Sequence, residues 1–156
     1  MKRTVITIAT DGSCLNNGAE NAAGGWAAIL RCGTHVKEIY GGELGTKNNR
    51  MELKAVIEAV KKLKNPCDVT VVTDSVYVCR CFSSIREWYN NGWKLKGGGK
   101  PANLDLLQEL MVIGKDGHHK FRFQYVNGHS GHPDNERCDQ LAKAEARAIQ
   151  KLQVVA

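Results

Sequence analysis

The sequence lacks several patterns that identify whole classes of protein. Its six cysteines form no CxxC pair and have no histidine at zinc-binding spacing, which argues against a zinc finger. No apolar run approaches the ~20 residues of a membrane helix, and the run after Met1 stops at Asp11 without a signal-peptide cleavage site. We therefore expect a cytoplasmic protein with reduced thiols that does not enter a membrane.

Acidic residues are also fewer than basic ones. The chain has 16 acids against 22 lysines and arginines, which gives a formal charge of +6 and a pI near 9.1. This balance favours a phosphate-rich partner, although basic proteins without such a partner are common. With 156 residues and 42% hydrophobic content, the chain is long enough for a core, and we expect one domain spanning residues 1–156.

Two segments repeat the pattern of a β-branched apolar run that ends at an acid. Residues 4–13 end with Asp11, Gly12 and Ser13, and residues 69–75 deliver Asp74 in the same way. Both runs are typical of buried strands. If the strands share a sheet, their carboxylates meet, and two ionised acids at one edge raise each other's pKa. Such an arrangement requires a cation.

The elements in chain order predict an α/β fold. Strands near 26–30 and 35–44 follow the first one too closely for helical crossovers, which indicates an antiparallel meander. A 3.6-residue apolar period from Leu53 to Leu63 predicts a helix, and the strand to Asp74 is then parallel to the first. We expect helices at 75–89 (broken near 83–84), 103–113 and about 134–152, and a fifth strand at 120–126. The predicted sheet is mixed, with three antiparallel strands, then two parallel strands, flanked by helices.

Four acids lie near the ends of these elements, and each has an ordinary explanation. Asp11 could start a turn, and Asp74 could cap the following helix. Glu52 has capping-box spacing from Asn49, and Asp139 could complement the dipole of the last helix. The ordered set of four at strand ends and helix starts favours one shared site instead.

The four segments that carry these acids resemble type 1 ribonuclease H. They are residues 10–14, 48–53, 73–75 and 128–139, the last being Gly-His-Ser-Gly-His-Pro-Asp-Asn-Glu-Arg-Cys-Asp. The resemblance extends over nearly the whole chain. It implies a ribonuclease H-like fold and endonucleolytic cleavage of the RNA strand of an RNA–DNA hybrid, leaving a 5′-phosphate and a 3′-hydroxyl.

The same resemblance implies a catalytic set. By motif match, Asp11, Glu52, Asp74 and Asp139 bind two Mg²⁺ ions, for which Mn²⁺ is a possible substitute because both prefer oxygen ligands. In two-metal hydrolysis the ions lie roughly 3.5 to 4 Å apart, and one activates water while the other stabilises the leaving oxygen. His129 matches the family's mobile histidine, a proton carrier in a glycine-flanked loop.

Substrate-binding residues are implied in two groups. RNA is distinguished from DNA by its 2′-hydroxyl and groove shape, so short polar groups must reach the minor groove. The residues that match this group are Cys14, Asn17, Asn48, Asn49 and Asn103. A basic protrusion that grips the DNA strand is matched by Trp88, Trp93, Lys94, Lys96 and Lys100. A solvated loop beside two core tryptophans is the alternative for this second group.

The sequence departs from the family pattern in three places. Val76 stands where the family often has a glutamine that can bond to nucleic acid, and Lys47 replaces a hydroxyl residue. The glycines at 97–99 make the protrusion less basic, so grip by this segment is expected to be weaker.

Two other functions use the same fold. One is a hybrid-binding protein without cleavage, and the other is an integrase or resolvase acting on DNA. The presence of all four acids and His129 argues against the first, and the segments at 49–52 and 128–132 argue against the second. We expect a monomer whose partner is the hybrid duplex.

Overall fold

The computed structural model describes residues 2–114, 118–128 and 131–155. Within these ranges nine elements follow one another: β1 (Thr4–Leu15), β2 (Ala23–Cys32), β3 (His35–Leu44), α1 (Asn48–Val60), β4 (Cys67–Thr73), α2 (Val76–Asn90), α3 (Leu104–Gly114), β5 (Lys120–Tyr125) and α4 (Pro133–Val155). No helix within the described ranges is long and apolar enough to cross a membrane.

The five strands form one mixed sheet in the order β3-β2-β1-β4-β5. β1 is antiparallel to β2, and β2 is antiparallel to β3, whereas β4 is parallel to both β1 and β5. The predicted fold, with three antiparallel strands followed by two parallel strands, is therefore confirmed. The parallel pairing matters for function because it brings the residues just beyond the paired stretches of β1 and β4 to the same edge of the sheet.

Helices cover both faces of the sheet. Ile6 and Ile8 of β1 pack with Val56 and Val60 of α1. Ala9, on the opposite face of the same strand, packs against α4. This alternation follows from the two-residue period of a strand. On the α4 side, Gly25 permits a close approach, since a Cβ there would lie 2.0 Å from the Ala142 carbonyl oxygen. α4 thus packs directly on β2.

The second helix differs from the prediction. We expected a break near 83–84, but α2 continues unbroken from Val76 to Asn90. Ser83 donates its hydroxyl to the carbonyl of Arg80 at 3.1 Å, which is how a serine is accommodated inside a helix. The helix begins at Val76, one residue later than predicted, and Ser75 is its N-cap, whose side chain accepts from the Val78 N–H at 3.1 Å.

Candidate active site

The centre of the site is the point where the parallel pairing of β1 with β4 ends, although β1 itself does not end at Asp11 as predicted and continues beside β2 to Leu15. Ala9 pairs with Val72, so Asp11 in β1 and Asp74 just after β4 are both two residues beyond this pair. α1, which comes between β1 and β4 in the chain, carries Glu52 toward the same point. One oxygen from each of these three carboxylates lies within 4.8 Å of the others. The predicted meeting of Asp11, Glu52 and Asp74 is present in the structure.

The ordinary explanations for two of the acids do not describe this geometry. The residue that caps α2 is Ser75, not Asp74. Lys47 occupies the N-cap position of α1 and makes no side-chain capping bond. Glu52, the fifth residue of that helix, directs its carboxylate toward Asp11 instead.

Gly12 allows α1 to come this close to β1. A Cβ at Gly12 would lie 2.3 Å from the Glu52 amide nitrogen and 2.4 Å from the Met51 carbonyl carbon, both of which are backbone atoms. The Gly12 N–H also donates to Asp11 Oδ1 at 2.9 Å and stabilises the Glu52 carboxylate. The sequence marked Gly12 only as a turn residue, although a glycine directly after a strand-end acid was an available signal.

Burial and mutual repulsion make the metal-free site strained. Burial, followed by the charge of the neighbouring Asp74, raises the pKa of Asp11 to about 7. The pKa of Glu52 is also raised, first by burial and then by the Asp11 charge. Glu52 Oε2 is buried without a hydrogen-bond partner. Three converging carboxylates and one unpartnered oxygen fit a divalent cation that takes oxygen ligands.

Asp139 lies beside this group rather than within it. Its side chain contacts Asp11, which places it at the site, but it is not one of the three acids that converge within 4.8 Å. Asp139 Oδ2 accepts from Lys143 Nζ at 2.9 Å, one turn further along α4. Lys143 therefore offsets one negative charge at the edge of the site.

The predicted proton carrier, His129, lies outside the described residues. Its neighbour Gly128 is described and lies next to the site, since a Cβ at Gly128 would be 3.1 Å from Asp74 Oδ2. The chain that leads to His129 therefore passes directly over Asp74.

A groove of about 530 Å³ brings together most of the predicted minor-groove residues. Its lining includes Asn17, Asn48, Asn49 and Asn103. Asn17 Oδ1 accepts from the Asn48 N–H at 3.1 Å, which joins the β1–β2 loop to the start of α1. Cys14 is half-buried and donates its thiol to the Thr46 carbonyl at 3.4 Å. The structure thus groups residues that are far apart in sequence.

The predicted basic protrusion is a turn that follows α2. Leu95 donates to the Gly99 carbonyl at 2.7 Å and Gly98 donates to the Leu95 carbonyl at 2.9 Å, so the glycines close a tight turn. Exposed lysines surround this turn, namely Lys94, Lys96 and Lys100. Trp88 and Trp93 are partly buried against the cluster formed by α1, α2 and α3. Both tryptophans therefore have a packing role, as the alternative interpretation expected.

Val76 and Lys47, two of the departures, flank the site and the groove. Val76 is 55% exposed at the first turn of α2, two residues after Asp74. Lys47 is exposed and lines the groove.

A network around Arg50 was missed by the sequence analysis. Arg50 donates to Glu43 at 3.0 Å and to both carboxylate oxygens of Asp105, at 2.9 and 2.7 Å, and Lys54 donates to Glu43 at 3.0 Å. The guanidinium lowers the pKa of Asp105 to about 2. These bonds tie α1 to β3 and α3, and so fix the walls of the groove. The Arg50 and Lys54 pair, one turn apart, was the only local signal.

Known proteins match this chain closely. A model of the RNase H family matches residues 3–147. A ribonuclease H from Nitratidesulfovibrio vulgaris is 46% identical over 149 residues, with 94% of this chain and 92% of the relative covered. A ribonuclease H from Thermus thermophilus is 43% identical over 151 residues, with 96% and 88% covered.

Solved structures agree with these matches. A crystal structure of a type 1 RNase H with the type 2 active-site motif superposes with a TM-score of 0.83 at 29% identity, covering 95% of this chain and 74% of the other. A foamy viral protease-reverse transcriptase, solved in complex with RNA/DNA hybrid, gives 0.74 at 18% identity, covering 92% and 20%. At that identity the second comparison shows a common fold alone.

Proposed function

Since the chain belongs to the RNase H family, we propose a metal-dependent mechanism for its endonucleolytic cleavage of the RNA strand of RNA–DNA hybrids. Asp11, Glu52, Asp74 and Asp139 hold two divalent cations, for which Mg²⁺ is the expected ion. The observation that carries this proposal is the convergence of three carboxylates within 4.8 Å. Their oxygens are the ligands that Mg²⁺ and Mn²⁺ prefer.

The acids act as ligands and need not transfer protons. When bound, divalent cations lower the pKa of an attacking water and stabilise charge on the leaving oxygen. Because Asp11 and Glu52 are buried, solvent screens their negative charges only weakly. A bound cation therefore favours their ionised forms and lowers their raised pKa values. Gly12 holds Glu52 against β1, and Lys143 orients the Asp139 carboxylate. The products are a 5′-phosphate and a 3′-hydroxyl.

His129 is proposed as the group that carries a proton to or from the reaction. Support comes from its neighbour Gly128, which lies against Asp74. An imidazole titrates near neutral pH and is suited to this role. Because bound cations can activate water by themselves, His129 assists the reaction rather than being essential to it.

The hybrid is proposed to lie across the groove and the basic turn. Asn17, Asn48, Asn49 and Asn103 line the groove and offer amide donors and acceptors to the minor groove, with Cys14 beside them. The DNA strand lies against the basic turn and the end of α2, and its phosphates make most of the contacts. The residues that contact it are Trp88, Trp93, Lys94, Lys96 and Lys100. The formal charge of +6 supports such a partner.

We further propose that the chain acts as a monomer formed by a single domain in the cytoplasm. In support, all six cysteines are free thiols, as a reducing compartment maintains them.

A cleavage assay with three labelled duplexes tests the mechanism. RNA–DNA hybrid, double-stranded RNA and double-stranded DNA are incubated with the protein, with and without Mg²⁺. We expect cleavage of the hybrid's RNA strand alone, only with metal, with 5′-phosphate ends. Binding of the hybrid without cleavage would favour a non-catalytic binding protein, and cleavage of DNA would favour an integrase-like nuclease. Either result would contradict the proposal.

Variants of the acids test the ligand assignment. Asp11→Asn and Asp74→Asn should abolish cleavage while hybrid binding stays measurable, because phosphate contacts are spread over the surface. Asp68→Asn is the matched control, since Asp68 is an exposed acid at the opposite end of β4. Retained cleavage in Asp11→Asn or Asp74→Asn would refute the metal assignment.

A further inference from the structure

Two ion pairs join the first turns of α4 to the sheet. Arg31, near the end of β2, donates from Nε and Nη2 to the two carboxylate oxygens of Asp134, the second bond being 2.8 Å long. Arg137 donates from the same two atoms to Glu38 of β3, at 2.9 and 3.3 Å. Asp134 and Arg137 are three residues apart and so lie on the same side of α4. We call these four residues the α4 clamp: Arg31, Glu38, Asp134 and Arg137.

The charges of the α4 clamp alternate. α4 contributes an acid and then an arginine, and the sheet presents an arginine on β2 and an acid on β3 to them. The Arg137 guanidinium lowers the pKa of Glu38, and the charge of Asp134 opposes this change, so the two pairs are close enough to interact. Because each arginine bonds through two nitrogens, a pair fixes direction as well as distance. A shift of α4 that brought Asp134 to Glu38 would oppose like charges, so the clamp favours one position of the helix.

The packing beneath the clamp does little to fix α4 along its own axis. Four of the five side chains in the buried cluster between α4 and the sheet are no larger than that of cysteine, the five being Ala9, Ala27, Ile29, Cys138 and Ala142. A helix resists sliding when the side chains on its surface fit into grooves on the opposite surface. Short side chains permit a close approach but interlock weakly. The charges at the start of α4 therefore determine how far along the sheet this part of the helix lies.

Asp139 belongs to the part of α4 that directly follows the clamp. It lies two residues after Arg137, and residues two apart in a helix point to different sides. Arg137 faces Glu38, whereas Asp139 contacts Asp11. A displacement of α4 along its axis therefore moves Asp139 past Asp11 by the same distance. Mg²⁺ demands near-ideal octahedral geometry with ligands at about 2.0–2.1 Å, so its affinity is sensitive to such a displacement.

We propose that the α4 clamp positions Asp139 beside Asp11 and thereby sets the affinity of the site for divalent cations. This inference rests on the proposed function, because it takes Asp139 to be a cation ligand. The four residues of the clamp are positioning residues that act through Asp139. In the part of the chain that the structure describes, none of them lines the groove. Loss of the clamp therefore changes the Mg²⁺ requirement and leaves KM for the hybrid unchanged.

Magnesium titrations of cleavage test the role of the clamp. Glu38→Arg sets two arginines against each other and should displace the start of α4. We expect the Mg²⁺ concentration for half-maximal cleavage to rise about fivefold, while KM for the hybrid at saturating Mg²⁺ changes less than about twofold. Glu109→Arg is the matched control, since it alters net charge equally and breaks an exposed ion pair of 2.9 Å between α3 and Lys61 at the end of α1.

A charge swap separates positioning from a general loss of stability. The double variant Glu38→Arg/Arg137→Glu restores an ion pair in the opposite direction. Its Mg²⁺ requirement should return to within about twofold of the parent value. The Tm of each variant is also measured in EDTA. A lower Tm for Glu38→Arg with an unchanged Mg²⁺ requirement would overturn the inference, and so would a double variant that needs as much Mg²⁺ as Glu38→Arg.

Calorimetric titration with Mg²⁺ alone provides a readout that does not depend on cleavage. Glu38→Arg and Asp139→Asn should each weaken Mg²⁺ binding. Glu38→Arg should add nothing in the Asp139→Asn background, because its effect passes through Asp139. Additive effects would overturn the inference even if the parent cleaves the hybrid as proposed. A parent that binds Mg²⁺ but does not cleave the hybrid would refute the proposed function instead, so the two failures are distinguishable.

Discussion

Gly12 and Glu52 are in contact through their backbones, and this contact sets the position of Glu52. A Cβ at Gly12 would lie 2.3 Å from the Glu52 nitrogen, a distance that real Cβ contacts essentially never show. The neighbouring atoms are the backbone of α1, which cannot give way as a flexible side chain would. The part of β1 around Asp11 and Gly12 and the second turn of α1 therefore move together, and Asp11 and Glu52 keep their spacing.

The first prediction is that Gly12→Ala impairs both stability and cleavage. The added methyl group must push α1 away from β1, which costs on the order of 1–3 kcal/mol, as overpacking in a core does. It also separates Glu52 from Asp11. Thermal melts and cleavage rates check this expectation. Gly114→Ala is the control, because a Cβ there makes only an ordinary contact of 3.8 Å with Phe121. Unchanged cleavage in Gly12→Ala would show that the site tolerates the displacement.

The sequence predicted the sheet and the meeting of the acids because these depend on local patterns. β1 and β4 are both β-branched runs, and the parallel crossover through α1 follows from element order. Together these two features bring Asp11 and Asp74 to one edge. The asparagines of the groove were found only through the family resemblance, because residues 17 and 103 show no local sign of being neighbours. Only the fold brings them to one cavity.

The Arg50 and Tyr77 contacts could not be predicted for a related reason. Their partners, Asp105 and Asn103, are 55 and 26 residues away in sequence. Side-chain bonds between helices depend on how α1, α2 and α3 pack, and no periodicity within one helix reports that packing. The break expected in α2 was wrong because the hydroxyl of Ser83 bonds within its own helix.

The second prediction concerns the metal-free protein. Burial and the Asp74 charge raise the folded-state pKa of Asp11 to about 7 from 3.8, so the folded state binds this proton more tightly than the unfolded state does. Stability is then lost as pH rises from about 4 through 7. In EDTA at pH 8, Asp11→Asn should melt at least about 3 °C higher than the parent, given about 2–4 °C per kcal/mol.

Two controls belong to this measurement. The difference in Tm between Asp11→Asn and the parent should disappear at pH 4, where Asp11 is protonated in the folded state. The difference should also become smaller in Mg²⁺, which stabilises the parent more than the variant. A lower Tm for Asp11→Asn in EDTA would mean that a structural hydrogen bond of Asp11 outweighs the repulsion.

The third prediction concerns His119, a buried histidine at the start of β5. Its Nδ1 accepts from the Cys67 N–H at 3.1 Å, and burial lowers its pKa, with the charges of His118 and Arg3 acting in the same direction. The neutral form is therefore favoured in the folded state. Stability from this group is present above the unfolded pKa of about 6.5 and is lost as pH falls below it.

Replacement of this histidine should remove that dependence. His119→Asn offers an oxygen acceptor in place of Nδ1 and cannot be protonated in this range. We expect the Tm of the parent to fall relative to the Tm of His119→Asn as the pH is lowered from 7 to 5. His35→Gln, which changes an exposed histidine at the start of β3, is the matched control. A constant difference between parent and His119→Asn would show that His119 is protonated without cost.

The fourth prediction concerns the basic turn after α2. Lys94, Lys96 and Lys100 are exposed, and within the described ranges none of them forms an ion pair, so their charges are available to phosphates. Changing all three to alanine should weaken hybrid binding and flatten its dependence on salt. The slope of log K against log salt falls by about 0.9 for each lysine that contacts a phosphate, because fewer counterions are released.

A matched variant with Lys37, Lys64 and Lys151 changed to alanine alters net charge equally at exposed positions outside the turn. If both triple variants change the slope equally, general attraction explains the effect, and the turn makes no specific contact with the hybrid.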